Sequence, residues 1–136
     1  MLTKEYLLEY RSLVDYRNRQ KEKLDELNER IKDYKKIRLD DIHVQTSKNK
    51  SDLSDLMVQK EDYERRVDRM DQIINKRFPK INKELNNLPE GKQKDLFTAY
   101  YLEANTMAIA ADKICYSESR AYQLNKEVLK RICERL

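Results

Sequence analysis

The chain has 136 residues, of which 40% are charged and 39% hydrophobic, with one Gly, two Pro and no Trp. This composition excludes a large globular core, and the scarcity of turn-forming residues predicts an all-α protein whose long helices pair along narrow apolar stripes. The formal net charge of +4 permits nucleic-acid binding without indicating it.

The inventory of reactive residues argues against an enzyme and against a metal site. The chain has a single histidine, His43, and its two cysteines, Cys115 and Cys133, have neither metal-binding nor redox spacing. It contains no Gly-rich phosphate loop, no signal peptide and no apolar run long enough to span a membrane. We therefore expect no catalysis, no cofactor, no membrane partner and a cytoplasmic location.

Residues 3–42 carry a heptad pattern that predicts a first long, coiled-coil-like helix. The apolar stripe includes four tyrosines and leucines at one heptad position (Tyr6, Leu13, Leu27 and Tyr34) and three apolar residues at the other (Tyr10, Leu24 and Ile31). Arg17 and Gln20 interrupt the stripe, and buried polar residues of this kind select register or oligomeric state. We expect the tyrosines of the stripe to be packing residues.

A polar segment at about 43–51 predicts the loop of an antiparallel helical hairpin, with His43 exposed in it. Ser51 or Asp52 is then the expected N-cap of the second helix. Pro79 either kinks that helix or makes it restart. One kinked helix is favoured because the apolar spacing continues across the proline, at Ile74, Phe78, Ile81, Leu85 and Leu88.

Residues 86–92, NNLPEGK, predict a hinge and hence a domain boundary. Residues 1–88 are the helical hairpin, assigned to dimerisation or partner contact, and residues 89–136 are a second domain. An amphipathic helix is expected from Lys92 to Glu103.

Residues 105–132, NTMAIAADKICYSESRAYQLNKEVLKRI, predict two short helices around a tight turn, with Thr106 and Ser117 as N-caps. This is the spacing of a C-terminal helix-turn-helix, whose second helix enters a DNA major groove. Similar helical pairs also occur in all-α proteins that bind no DNA. The predicted core consists of Tyr100, Ala111, Ile114, Ala121, Leu124 and Leu129.

The outward residues of the second short helix suit contacts with DNA. Those expected to read base edges are Ser117, Glu118, Ser119, Arg120 and Gln123. Those expected to contact phosphates are Lys126, Lys130 and Arg131. Tyr122 either packs on the first short helix or points to DNA, and packing is the favoured expectation.

The segment TAYYLEANTMAIAADKICYSESRAYQLNKEVL resembles the fourth-region helix-turn-helix of sigma factors and, more closely, RinA/ArpU-type late-gene transcriptional regulators of phages of Gram-positive bacteria. Those regulators share an aromatic-Leu pair, a Thr-Trp, an Ile-Ala, a Gly-Tyr-Ser turn, and a Tyr and a Leu on the recognition helix. The matching positions here are Tyr101, Leu102, Thr106, Met107, Ala111, Tyr116, Ser117, Tyr122, Leu124 and Leu129. KEYLLEYRSL also resembles the opening helix of the family.

The chain departs from the family pattern at the turn and at the helix crossing. Cys115 occupies the slot usually given to Gly, where a positive φ is often required. Ala110 stands where a larger aliphatic residue is usual, with Ile109 expected to turn inward in compensation, and Ala121 replaces a typical Val.

The resemblance implies an activator of phage late genes that binds double-stranded promoter DNA in the bacterial host cytoplasm and works with host RNA polymerase. The hairpin could also form a homodimer with a second copy of the chain or bind a regulatory protein. The alternative is a coiled-coil interaction protein that binds no DNA and sequesters RNA polymerase or another regulator.

Overall fold

The computed structural model describes residues 2–40 and 47–133, with the side chains of 2–36 and 53–133. The helices are α1 (Lys4–Asp40), α2 (Ser47–Asn87), α3 (Lys92–Phe97), α4 (Met107–Lys113) and α5 (Glu118–Ile132), and a π-helical segment, Thr98–Leu102, follows α3 directly. The described ranges contain no β-strand, and an isolated parallel bridge joins Leu2 to Cys133. The prediction of an all-α protein with a long N-terminal helix pair is confirmed.

Helix α1 begins after Thr3, whose Oγ1 accepts a hydrogen bond from the backbone N–H of Tyr6 at 3.1 Å. Neither Gly nor Pro interrupts the following 37 residues, so no residue breaks the helical hydrogen bonding. The predicted helix over 3–42 therefore agrees with α1 as far as Asp40, and residues 41 and 42 lie outside the described part of the chain.

Helix α2 begins earlier than the sequence pattern predicted. Residues 47–51 are helical rather than part of a loop, and Ser51 and Asp52 lie inside the helix rather than at its N-cap. SKNKSD contains no Gly or Pro, so the helix extends into this polar segment without a break. The remainder of the predicted loop, residues 43–46 with His43, lies outside the described residues.

Helix α2 also continues through Pro79 as one element. The proline removes one hydrogen bond of the helix, but apolar residues on both sides of it are buried in one cluster, among them Ile74, Ile81 and Leu85. Phe78, expected on the same stripe, is instead 37% exposed. The helix ends before Gly91, which has φ of +129°, a conformation that residues with a Cβ rarely adopt.

The chain forms two compact units, Met1–Tyr16 with Gln72–Leu136, and Arg17–Asp71. In the first unit, one hydrophobic core joins α1 and α2 side chains with Phe97, Tyr101 and the carboxyl half of α5. This division differs from the sequence-based boundary between 88 and 89. Side chains of α1 and α2 cover Phe97, Tyr101 and the carboxyl half of α5, so the core crosses that boundary.

In the second unit, the two polar residues that interrupt the heptad stripe are partly buried (Arg17) and buried (Gln20). Arg17 donates to a carboxylate oxygen of Asp71 at 3.1 Å, and Gln20 is 6% exposed. Val67 of α2 is buried, as are Leu27 and Ile31 of the α1 stripe.

Candidate nucleic-acid interface

Helices α4 and α5 both begin at a side-chain cap. Thr106 Oγ1 accepts a hydrogen bond from the backbone N–H of Ile109 at 3.3 Å, and Ser117 Oγ accepts one from Arg120 N–H at 3.2 Å. Both residues are extended rather than helical, as N-caps are. The two predicted caps are confirmed.

The turn between α4 and α5 is closed by backbone hydrogen bonds of the Schellman type. The N–H of Tyr116 donates to the carbonyl of Ala111 at 2.9 Å, and the N–H of Cys115 donates to that of Asp112 at 3.1 Å. Cys115 takes the left-handed conformation, with φ of +61°. The turn therefore ends α4 and leads into α5 within a few residues, and Cys115 adopts the positive φ expected in the slot usually given to Gly.

Replacing Cys115 by glycine is expected to raise the free energy of unfolding by about 0.5–1 kcal/mol. A left-handed residue with a Cβ costs about 1–2 kcal/mol, and the greater freedom of glycine in the unfolded chain offsets part of that gain. Urea unfolding followed by circular dichroism measures the change. Cys115→Ala is the matched control, since it removes the thiol but keeps the Cβ. Equal effects of the two substitutions would contradict this reason.

Helices α4 and α5 meet through a small apolar cluster. Four of the six predicted core residues lie in it, Ala111, Ile114, Ala121 and Leu124, each at most 4% exposed. Leu129 is buried in the larger core of the same unit, and Tyr100 is half-buried against both clusters. Ile109 is 48% exposed, so the expectation that it turns inward is wrong. Ala110 is itself fully buried, which leaves the adjacent position on the outer side of α4.

Two cations outside α4 and α5 donate to backbone carbonyls on either side of α4. Lys92 Nζ donates to the carbonyl of Ile114 at 2.7 Å, at the end of α4. Arg11 of α1 donates to the carbonyls of Tyr100 and Asn105 at 3.2 and 2.9 Å, and its guanidinium lies 4.4 Å from the centre of the Tyr100 ring. The sequence pattern indicated neither cation, because both contacts join residues that are far apart in the chain. The separation is 22 residues for Lys92 and about ninety for Arg11.

The π-helical segment positions Tyr101 against α5. Its hydroxyl donates to Asn125 Oδ1 at 2.8 Å, and its ring is 1% exposed. Burial raises the pKa of Tyr101 well above its ordinary value, because the ionised phenolate would lose its hydration in the core. The predicted helix from Lys92 to Glu103 thus ends in a π turn, in which the N–H of Glu103 donates to the carbonyl of Thr98 at 3.0 Å.

The residues predicted to read bases all lie on the surface. Ser117, Glu118, Ser119, Arg120 and Gln123 are exposed at the amino end and on the outer side of α5. The Ser117 oxygen already accepts the capping hydrogen bond, which leaves its hydroxyl hydrogen to donate. The Arg120 guanidinium donates to Gln123 Oε1 at 3.4 Å and lies 5.8 Å from the centre of the Tyr116 ring. Two of the predicted base-reading residues, Arg120 and Gln123, are therefore in contact.

The three cations predicted to contact phosphates are also exposed, farther along α5. Lys126, Lys130 and Arg131 pair with no carboxylate in the part of the chain that the structure describes. Helix α5 carries four basic and two acidic residues, a net charge of 4 − 2 = +2. Its outer surface can therefore attract an anion such as a nucleic-acid backbone.

Tyr122 lies on the outer surface of α5, not against α4. It is 50% exposed, and the expectation that it packs is wrong. The buried side of α5 is already occupied by Ala121, Leu124 and Val128, which leaves the neighbouring position 122 at the edge of that face.

No cluster of His, Cys, Asp and Glu suited to a metal ion occurs among the described residues, and no helix within them is long and apolar enough to cross a membrane. The chain matches no protein-family model, no curated protein and no solved structure.

Proposed function

We propose that the chain is a DNA-binding transcriptional regulator, with α4, the turn and α5 as a helix-turn-helix and α5 as the recognition helix. The observation that carries the proposal is the capped, left-handed turn between α4 and α5. One face of α5 packs against α4, and the outer side of the first turns of α5 stays exposed. A helix held in this way is able to enter a major groove. The resemblance to RinA/ArpU-type regulators supports the same role and adds activation of phage late genes in a bacterial host.

In this proposal, α1 and α2 form an antiparallel hairpin that serves pairing or partner contact. Glu9 contacts Arg77 at 2.9 Å, whereas Arg17, farther along α1, contacts Asp71, which comes earlier in α2. This order supports the antiparallel arrangement that the proposal assigns to the two helices. A homodimer formed through the hairpin would present two recognition helices to two half-sites, and host RNA polymerase or a regulatory protein would bind the same hairpin.

The second candidate is an interaction protein that binds no DNA and sequesters RNA polymerase or another regulator. An open groove of about 590 Å³ favours it, lined by Leu8, Glu9, Ser12, Leu13 and Arg77 in the first unit. Leu8 is 39% exposed there and offers apolar surface to a protein partner.

The test is selection of double-stranded DNA from a random pool by the full-length chain, followed by affinity measurements across salt concentrations. The regulator proposal expects a recurrent sequence, tighter binding to it than to its scrambled version, and a logarithmic affinity that falls linearly with log salt concentration. Recovery of no sequence, with weak and indiscriminate binding, would reject it. Capture of RNA polymerase in that case would support the second candidate.

A further inference from the structure

The exposed side of α5 carries one aromatic ring, Tyr122, beside the edge of the buried face. At roughly 3.6 residues per turn, Ser119, Tyr122 and Lys126 follow one another along one side of the helix. Tyr122 is half exposed, and neither its ring nor its hydroxyl has a partner within the described residues. Among the exposed residues of α5, it is the large aromatic one.

Arg120 projects from a different side of the helix. Two residues apart, Arg120 and Tyr122 are separated by roughly 160° around the axis. The guanidinium of Arg120 lies beside Tyr116 and Gln123 instead. Contacts made by Tyr122 are therefore separate from those of Arg120, and the two residues would address different parts of a bound duplex.

We propose that Tyr122 is a specificity-determining residue that recognises thymine by packing its ring against the C5-methyl group. This inference rests on the proposed function. The thymine methyl is the apolar group that the base edges present in the major groove, and it is the natural contact for an unpartnered aromatic ring on a recognition helix. Ser119 is small enough to leave the ring accessible, and Lys126, one turn farther on, is placed for the phosphate beside that base.

The experiment uses the duplex selected by the full-length chain, with each thymine replaced in turn by deoxyuridine, which removes the methyl group alone. The parent chain is expected to lose about 3- to 10-fold in affinity at one position, the value of burying about one methyl group. Tyr122→Ala is expected to bind the thymine duplex more weakly than the parent by a similar factor. The variant should then bind the thymine and deoxyuridine duplexes with equal affinity. Tyr122→Phe is expected to discriminate as the parent does, since the hydroxyl takes no part.

The matched control is Tyr16→Ala, which removes a 45% exposed tyrosine from α1 and is expected to leave the discrimination between thymine and deoxyuridine duplexes unchanged. Circular dichroism of each variant establishes that it is folded. If Tyr122→Ala keeps the parent affinity and discrimination, this inference fails while the proposed function stands. If it weakens the thymine and deoxyuridine duplexes in parallel, the contact is not to the methyl group and the inference also fails. If the parent selects no sequence, both proposals fail together.

Discussion

Replacing Phe97 by alanine is expected to lower the free energy of unfolding by about 3–5 kcal/mol. Phe97 is fully buried, and its ring lies 5.2 Å from that of Tyr101 in the core that joins α1, α2 and α5. Truncation removes most of the apolar contacts of the ring and leaves a cavity that the surrounding helices fill only partly. Urea unfolding of the full chain, followed by circular dichroism, measures the loss.

The chain supplies its own control, because its other phenylalanine lies on the surface. Phe78 is 37% exposed on α2, so Phe78→Ala is expected to change the free energy of unfolding by about 1 kcal/mol or less. We expect this large difference in unfolding free energy between the two variants because a single core includes residues on both sides of the predicted boundary at 88 and 89. A small loss for Phe97→Ala, comparable with that of Phe78→Ala, would show that this core contributes little.

Arg120→Ala is expected to reduce affinity for the selected DNA sequence by about 1–3 kcal/mol and to relax the preference at one base position. In the free protein, the guanidinium rests against Gln123 and Tyr116 on the surface, so truncating it should leave the fold intact. The planar guanidinium can then exchange these weak contacts for two hydrogen bonds to guanine O6 and N7. Anisotropy titrations against duplexes with single base changes measure the effect.

Lys126→Ala provides the contrast for Arg120→Ala. Lys126 is exposed on α5, and a phosphate contact carries no sequence information, so the substitution should weaken all duplexes alike and reduce the salt slope by about one. If the Arg120 variant instead weakens every duplex equally, Arg120 contacts the backbone. Parent-like binding by both variants would mean that this side of α5 does not contact DNA.

Signals between near neighbours in the chain were sufficient to predict the turn region. A cap depends on the hydroxyl of one residue and an amide three residues later, so Thr106 and Ser117 could be identified from their positions before apolar runs. The positive φ at Cys115 agrees with the slot usually given to glycine in the family that the motif resembles. Sequence spacing was equally sufficient for the buried side of α5, because period-3.6 patterns place residues on one face.

Features that depend on contacts between distant residues were not indicated by local patterns. The boundary after residue 88 was placed at a Pro- and Gly-containing hinge, but the apolar faces on either side of it pack in a common core. Arg11 reaches the carbonyls of Tyr100 and Asn105 across about ninety residues, and no local pattern indicates such a contact. Tyrosine is often buried on amphipathic helices. Whether Tyr122 is buried depends on which sides of α5 other helices cover, and the local sequence does not specify this.

Local sequence signals were thus enough to predict the helical class, the capped turn and the burial of Ala121, Leu124 and Leu129 on α5, because short-range hydrogen bonding and helical periodicity control these features. Which helices share a core, which cations contact the backbone around α4, and the exposure of Tyr122 became clear only from the folded chain. Those outcomes depend on how apolar faces from distant parts of the chain cover one another, which no local pattern specifies.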